Sequence, residues 1–164
     1  MENFSAHGEG AILSLTEEEA GALRLLVADM KALLMHDDRS DPALERLYPA
    51  AYEDPEDQLN FQDLVGSELM TDKVRVLDQI GETLSGSGAV RRELDADTAG
   101  AWLKGLTDIR LTLGVRLGVT EDITSESVDA DDPDAFQWSL LHWLGWLQEQ
   151  LLEAIDPAYR RNHE

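Results

Sequence analysis

The stretch that decides the fold is LTDIRLTLGVRLGV, residues Leu106 to Val119. On a helix, its leucines and valines occupy two sides, because Leu111 and Val115 lie opposite the remaining apolar positions. Those remaining positions form one arc together with the preceding leucine: Leu103, Leu106, Ile109, Leu113 and Leu117. A helix that is apolar on two sides packs against neighbours on both, so this stretch predicts a central helix.

Two arginines stand inside this otherwise apolar stretch. Arg110 falls within the arc and Arg116 lies on its edge. Burial of an unpaired guanidinium is prohibitive, so we expect Arg110 to reach carboxylates or helix-end carbonyls of other elements. Asp108, Arg110 and Arg116 are therefore predicted to form a structural polar core, from which Arg110→Ala would remove several kcal/mol of stability. The alternative is an anion pocket, since arginine also grips carboxylate or phosphate.

Helical periodicity also dominates on both sides of this stretch. An amphipathic first helix follows the capping box of Thr16 and Glu19. A short helix is predicted over residues 41–47, and three long helices are predicted over about 56–84, with a bend or break near Gly66, over about 96–117 and over about 134–155. The sequence therefore predicts a mainly α, single-domain bundle of about four principal helices.

Two short apolar segments precede helix starts that resemble each other. Residues 11–15 lead into LTEEEAGAL, and residues 89–94 lead into LDADTAGAW. Each segment could be a brief strand, and the two could pair, so at most a small two-stranded β element is expected. The helical domain is predicted to cover residues 10–155, between an N-terminal tail of residues 1–9 and a C-terminal tail of residues 156–164.

Length and composition indicate one domain without thiol chemistry. The 164 residues are enough to bury a sizeable core. The absence of cysteine excludes disulfides, a thiolate nucleophile and a cysteine-based zinc site. The N-terminal segment lacks the features of a signal peptide, and no apolar run approaches the ~20 residues of a membrane span. We therefore expect a cytoplasmic protein without a membrane partner.

Charge is the strongest compositional signal. The net charge is −21, from 34 acidic and 13 basic residues. The electrostatic field of this negative charge repels phosphates. Because proteins bind duplex DNA largely through Lys and Arg, we expect no direct binding to duplex DNA by this protein unaided. A basic protein such as a sigma factor or RNA polymerase is the expected partner.

We find no motif for catalysis, metal binding or cofactor binding in the sequence. The sequence MHDD at residues 35–38 lacks a second set of ligands, because the chain has only four histidines. The acidic segment after Val119 lacks the central glycine and the final glutamate of an EF-hand loop. We therefore expect no enzyme activity, no metal and no cofactor.

The last predicted helix carries a second apolar surface beside its core face. Trp138, His142 and Trp146 recur at every fourth position. The core face itself is predicted to comprise Phe136, Leu140, Trp143, Leu144, Leu147, Leu151 and Ile155. Three large rings outside that face are unfavourable in water unless other side chains pack over them. They either pack beneath another part of the chain or form a partner surface or homodimer interface, for which Trp is a typical anchor.

Three segments together resemble a known family. They are RLYPAAYED at residues 46–54, AWLKGLTDIRLTLGVRLGVTEDI at residues 101–123 and LLHWLGWLQEQLL at residues 140–152. They look like the actinobacterial family catalogued as domain of unknown function 2017, over about Leu13 to Leu152. The most specific part is the pattern Asp108, Arg110, Leu113, Gly114, Arg116 and Leu117. The resemblance implies a mostly helical cytoplasmic protein with redox-linked control of transcription in at least one branch.

Two functional hypotheses follow. The favoured one is a non-enzymatic regulatory module that binds a partner in the transcription machinery. A disulfide-based redox switch does not carry over from the resemblance, because this sequence has no cysteine. The alternative is a protein, an enzyme included, that binds a small molecule or anion around Arg110 and Arg116.

Overall fold

A computed structural model of the protein describes residues 2–36, 55–118 and 135–156, with the backbone alone for residues 55–68. The elements in chain order are β1 (Phe4–His7), β2 (Gly10–Leu15), α1 (Glu17–His36), α2 (Pro55–Thr83), β3 (Val90–Leu94), α3 (Ala96–Leu117) and α4 (Ala135–Ile155). The prediction of a mainly α protein with four principal helices is confirmed. The short helix predicted over residues 41–47 and the acidic segment after Val119 lie outside the described residues.

The strands form one antiparallel sheet in the order β1-β2-β3. The predicted pairing of residues 11–15 with residues 89–94 is confirmed, because Ala11 lies opposite Leu94 and Leu15 lies opposite Val90. The third strand, β1, was not predicted, and the assignment of its residues to an N-terminal tail is wrong. A tight turn, in which Gly8 has a φ of +59°, folds β1 back onto β2, and Phe4 of β1 is buried.

The start of α1 is fixed by the predicted capping box. The backbone N–H of Glu19 donates to Thr16 Oγ1 at 3.1 Å, and the N–H of Thr16 donates to Glu19 Oε1 at 2.9 Å. Asn3 Nδ2 also donates to Glu19 Oε1 at 3.2 Å and to the carbonyl of Ser14 at 3.0 Å. The cap therefore ties the N-terminal segment to the first helix.

Helix α3 is central, as its two-sided apolar pattern predicts. It packs against all three other helices and against β2 and β3, and it buries Trp102, Leu106 and Ile109. Asp95 caps its N-terminus by accepting from the backbone N–H of Thr98 at 2.8 Å. This backbone hydrogen bond lowers the pKa of Asp95, because it stabilises the ionised carboxylate. Gly118, with a φ of +72°, ends the helix.

Helices α2 and α3 approach closely at Gly105. A Cβ atom at this position would lie 2.2 Å from Ile80 Cδ1, so any larger residue would require the end of the Ile80 side chain to move. Helix α2 itself is continuous from Pro55 to Thr83, so of the predicted bend or break near Gly66 the break is wrong, and the bend stays a prediction. A single interior glycine costs a helix only about 1 kcal/mol, which is less than the packing of α2 against α1 and α3 contributes.

Candidate functional site

An apolar groove of about 490 Å³ lies between α1, the C-terminal half of α3 and the first turns of α4. The apolar side chains that form it include Leu25, Leu26, Leu33, Leu113, Phe136 and Leu140. No single helix supplies this surface, so the groove exists only because α3 brings α1 and α4 together.

Helix α1 contributes to the groove because it is apolar beyond its core face. Its core face buries Leu23, Val27 and Leu34, whereas Leu25 lines the groove and is 68% exposed. Phe136 lines the groove from α4 and is 71% exposed. The prediction that Phe136 belongs to the core face is therefore wrong. Two large apolar side chains remain in contact with water beside an apolar groove.

The polar groups of the groove are divided between its interior and its margin. Thr112 is buried, and its hydroxyl donates to Met30 Sδ at 3.4 Å. Asp29 and Arg116 also line the groove and are exposed. An apolar floor with charged groups at its margin suits binding of an amphipathic molecule. Among the described residues that line the groove, no nucleophile is paired with a base.

The structure places Arg110 in a different environment from the predicted one. Its side chain is exposed, and Nη1 donates to Gln148 Oε1 of α4. Gln148 Nε2 donates in turn to Thr107 Oγ1 at 2.6 Å. The guanidinium lies over Gly145, where a Cβ atom would approach Arg110 Nη2 to 3.3 Å. The prediction of a buried Arg110 is wrong, because the long side chain reaches across α4 and keeps its charge in water.

The three residues of the predicted polar core lie in separate environments. Asp108 accepts from Lys73 Nζ of α2 at 2.9 Å, and both side chains are about one-fifth exposed, at 19% and 20%. Arg110 contacts α4, whereas Arg116 is exposed and lines the groove. A polar core shared by Asp108, Arg110 and Arg116 is therefore not formed.

Because Arg110 is exposed, we expect Arg110→Ala to lower the free energy of unfolding by about 1 kcal/mol or less. This replaces the expectation of several kcal/mol that followed from burial. Urea unfolding of Arg110→Ala and Gln148→Ala, singly and combined, measures the effect. The combined variant should lose little more than Gln148→Ala alone, because Gln148→Ala already removes the hydrogen bond with Arg110 as well as the one with Thr107. A loss of several kcal/mol would indicate instead that Arg110 is buried, as the sequence predicted.

The fold places the three aromatic residues of the candidate interface on α4 in different surroundings. Trp138 is buried at 6% exposure, whereas Trp146 is 58% exposed and His142 is exposed. Eight residues of helix separate the two indoles by about 12 Å, so their surroundings differ. The candidate interface of Trp138, His142 and Trp146 is wrong for Trp138, and His142 with Trp146 stays a predicted partner or homodimer surface.

Two structurally important polar residues escaped the sequence analysis. Gln150 is buried, and its Oε1 accepts from the backbone N–H groups of Asn3 at 2.7 Å and Phe4 at 3.1 Å. Arg24 donates from Nε to the carbonyl of Leu84 at 2.8 Å and from Nη2 to that of Gly88 at 3.1 Å. A glutamine inside the apolar face of α4 was the available signal. For Arg24 the sequence offered no signal, because its partners are backbone carbonyl groups, which every residue carries.

The described part of the chain offers no arrangement for metal chemistry. Within residues 2–36, 55–118 and 135–156, no group of three or more His, Asp or Glu side chains could hold a metal ion. None of the helices in these ranges is long and apolar enough to cross a membrane.

Comparison with known proteins confirms the resemblance seen in the motifs. The family model described as "Domain of unknown function (DUF2017)" matches residues 1–155. A protein of Mycobacterium leprae (strain TN), named "Putative oxidative stress regulator AosR", is 33% identical over 129 residues. The match covers 70% of this chain and 58% of that relative's length. No solved structure matches this chain. The chain belongs to the DUF2017 family.

Proposed function

We propose that this protein is a non-enzymatic regulator that binds a protein of the transcription machinery through the groove between α1, α3 and α4. The observation that carries the proposal is the exposure of Leu25 and Phe136 beside an apolar groove. Large apolar side chains grouped on a surface typically mark an interaction site. The relative's name supports a role in the response to oxidative stress.

Charge restricts the class of partner. With a net charge of −21, the protein attracts basic protein surfaces over distances of about 10 Å at 0.1 M salt. A sigma factor or RNA polymerase fits this requirement better than free DNA. The alternative of one anion site formed by both Arg110 and Arg116 has less support, because the two side chains lie in different environments.

The proposal also concerns the route by which an oxidative signal acts on this protein. Because the sequence contains no cysteine, it has no thiol that could form a disulfide or a sulfenic acid. A redox signal that acts through thiols therefore has to reach this protein through its partner. Reducing agents should leave the structure and the binding of the isolated protein unchanged.

Binding to purified sigma factors and RNA polymerase core enzyme of the same organism tests the proposal. We expect Leu25→Ser to weaken binding about tenfold, since a leucine buried at an interface contributes about 1.5–3 kcal/mol. Met35→Ser is the matched control, because Met35 lies on the same helix and is equally exposed, at 68%, outside the groove. Biolayer interferometry at about 0.1 M salt measures the Kd for the partner of the parent, of Leu25→Ser and of Met35→Ser.

Two further measurements complete this test. Fluorescence anisotropy with duplex DNA should show no submicromolar binding by the protein alone, and sequence-specific submicromolar binding would contradict the proposal. Trp146→Ala examines the other exposed surface. If partner binding survives Leu25→Ser and disappears in Trp146→Ala, the exposed face of α4 is the interface and the groove is not.

A further inference from the structure

We infer that β3 is a self-association surface, which pairs antiparallel with β3 of a second copy of this chain and joins the two sheets into one. In this dimer Arg91 of each copy lies opposite Glu93 of the other, and the two-fold axis passes beside Arg92. The contact uses neither the groove nor the transcription partner proposed above.

The two edges of the sheet differ in what covers them. Along β1, Gln150 of α4 accepts from the backbone N–H groups of Asn3 and Phe4 at 2.7 Å and 3.1 Å. Along β3, the sheet ends, and no other strand of the described chain pairs with it. Residues 91–93 of β3 are all exposed. An edge strand of this kind is a template for pairing with a strand of another molecule.

The register of the sheet shows which backbone groups the open edge offers. The N–H of Ser14 donates to the carbonyl of Asn3 at 2.8 Å, so the backbone polar groups of Ser14 point toward the β1 side. Arg91 lies opposite Ser14 and therefore turns its own N–H and C=O away from β2, because the two sides alternate along an antiparallel strand. The same alternation directs the backbone groups of Glu93 to the open edge.

One register of two β3 strands joins unlike charges. Antiparallel pairs that exchange hydrogen bonds are formed by residues whose backbone groups point to the edge. The possible pairs are thus Arg91 with Arg91, Glu93 with Glu93, or Arg91 with Glu93 of the second copy. Like charges placed directly opposite are destabilising, whereas opposite charges stabilise the pairing. The third register therefore gives an Arg–Glu pair on each side of the dimer axis.

Arg92 indicates that a second strand has room beside β3. Its side chain lies on the face of the sheet that also carries Val90 and Leu94, because side chains alternate along a strand. Val90 and Leu94 are buried, whereas Arg92 is exposed. The helices beneath the sheet thus leave the middle of β3 uncovered. Arg92 Nη2 donates to Ser85 Oγ at 3.1 Å, which holds the guanidinium on its own protomer.

Charge places the contact at this strand. A net charge of −21 on each copy opposes self-association, but β3 itself carries two arginines and one glutamate. The long-range repulsion is screened over about 8 Å at 0.15 M salt, whereas the Arg91–Glu93 pairs are in direct contact. The remaining arginine, Arg92 of each copy, lies in the field of two acidic molecules, which offsets its repulsion from its counterpart.

Sedimentation equilibrium of the full chain over a concentration series tests the inference. The five residues of β3 span about 17 Å, so the contact is shorter than a standard protein interface, and we expect a weak dimer that dissociates on dilution. The measurement is made at about 0.15 M salt. A parent chain that stays monomeric up to about 1 mM would overturn the inference.

Charge reversals separate pairing at β3 from non-specific association. Arg91→Glu and Glu93→Arg each place like charges opposite one another, so each should weaken the dimer about tenfold. Glu93→Arg is informative because it makes the chain less acidic, and relief of overall repulsion alone would tighten the dimer. The ion pair of Glu93 with His7, at 3.5 Å, is exposed and contributes little to stability, so both variants should keep the Tm of the parent.

An equimolar mixture of Arg91→Glu and Glu93→Arg provides the matched control. Their heterodimer again places unlike charges opposite each other at both pairs, and its total charge equals that of the parent dimer. We expect the mixture to dimerise as tightly as the parent, although each variant alone is weaker. A mixture that forms no heterodimer, or a Glu93→Arg variant that dimerises at least as tightly as the parent, contradicts pairing at β3.

Trp146→Ala tests the other candidate surface for a second copy, the exposed face of α4. Because Trp146 lies on that helix and not on the sheet, its substitution should leave the dimer unchanged. If the dimer is lost in Trp146→Ala and retained in Arg91→Glu, the second copy binds α4 and the inference is wrong.

Discussion

Replacing Trp102 with alanine is expected to lower the free energy of unfolding by about 3–5 kcal/mol, the range seen when a large aromatic side chain is removed from a core. Trp102 is 1% exposed at the centre of α3. Its ring packs edge-on against Phe4 with the centroids 5.5 Å apart, and its Nε1 donates to Thr83 Oγ1 at 3.0 Å. The substitution would therefore remove a contact with β1 and a hydrogen bond with α2 together.

The loss extends beyond the volume of the ring. Thr83 is itself buried, and its hydroxyl donates to the carbonyl of Ile80 at 2.6 Å, so in Trp102→Ala the Thr83 oxygen loses its only described donor. Urea unfolding followed by circular dichroism measures the change. Trp146→Ala is the matched control, and it should stay within about 0.5 kcal/mol of the parent because Trp146 is 58% exposed. Equal losses in the two variants would contradict the central position of α3.

The position of α3 was predictable because its determinants are local. Asp95 and Gly118 mark the two ends, and the apolar pattern between them requires neighbours on both sides. The pairing of β2 with β3 was also predictable, since each strand leads into a capped helix. Strand β1 was missed because its four residues carry a weak apolar alternation, and its burial depends on Trp102, which is distant in sequence.

The candidate site was less predictable than the fold. Apolar periodicity assigns residues to a helix face, but it does not tell which faces another element covers. Leu25 and Leu23 are both leucines of α1, yet the first is 68% exposed and the second 1%. Phe136 fits the core stripe of α4 by spacing, but it lies in the first turn of that helix, beside the groove. Such differences come from the arrangement of three helices.

The failure at Arg110 has a similar origin. An arginine inside an apolar arc predicts burial when the neighbouring helix presents large side chains. Here the neighbour presents Gly145, which leaves room for the guanidinium to pass over α4 and reach Gln148. A helical wheel of α3 contains no information about a glycine on another helix.

Replacing Gln150 with leucine is expected to lower the free energy of unfolding by about 2–4 kcal/mol. One side-chain oxygen accepts from the backbone N–H groups of Asn3 and Phe4, and each buried donor left without an acceptor costs about 1–3 kcal/mol. The lower part of the combined range applies for two reasons: β1 is an edge strand and can shift to admit water, and leucine also removes the buried Gln150 Nε2, which has no hydrogen-bond partner among the described residues. Leucine has a similar volume, so little of the loss should come from a cavity.

Gln148→Leu is the control for this substitution, because Gln148 lies on the same helix and bonds the exposed Arg110 instead of a buried backbone. It should change the free energy of unfolding by less than about 1 kcal/mol. Amide hydrogen exchange separates local from global effects, since loss of the Gln150 acceptor should first speed exchange at Asn3 and Phe4. If these amides stay as protected in Gln150→Leu as in the parent, water or another group satisfies them. The hydrogen bonds of Gln150 would then not be required to hold β1 against α4.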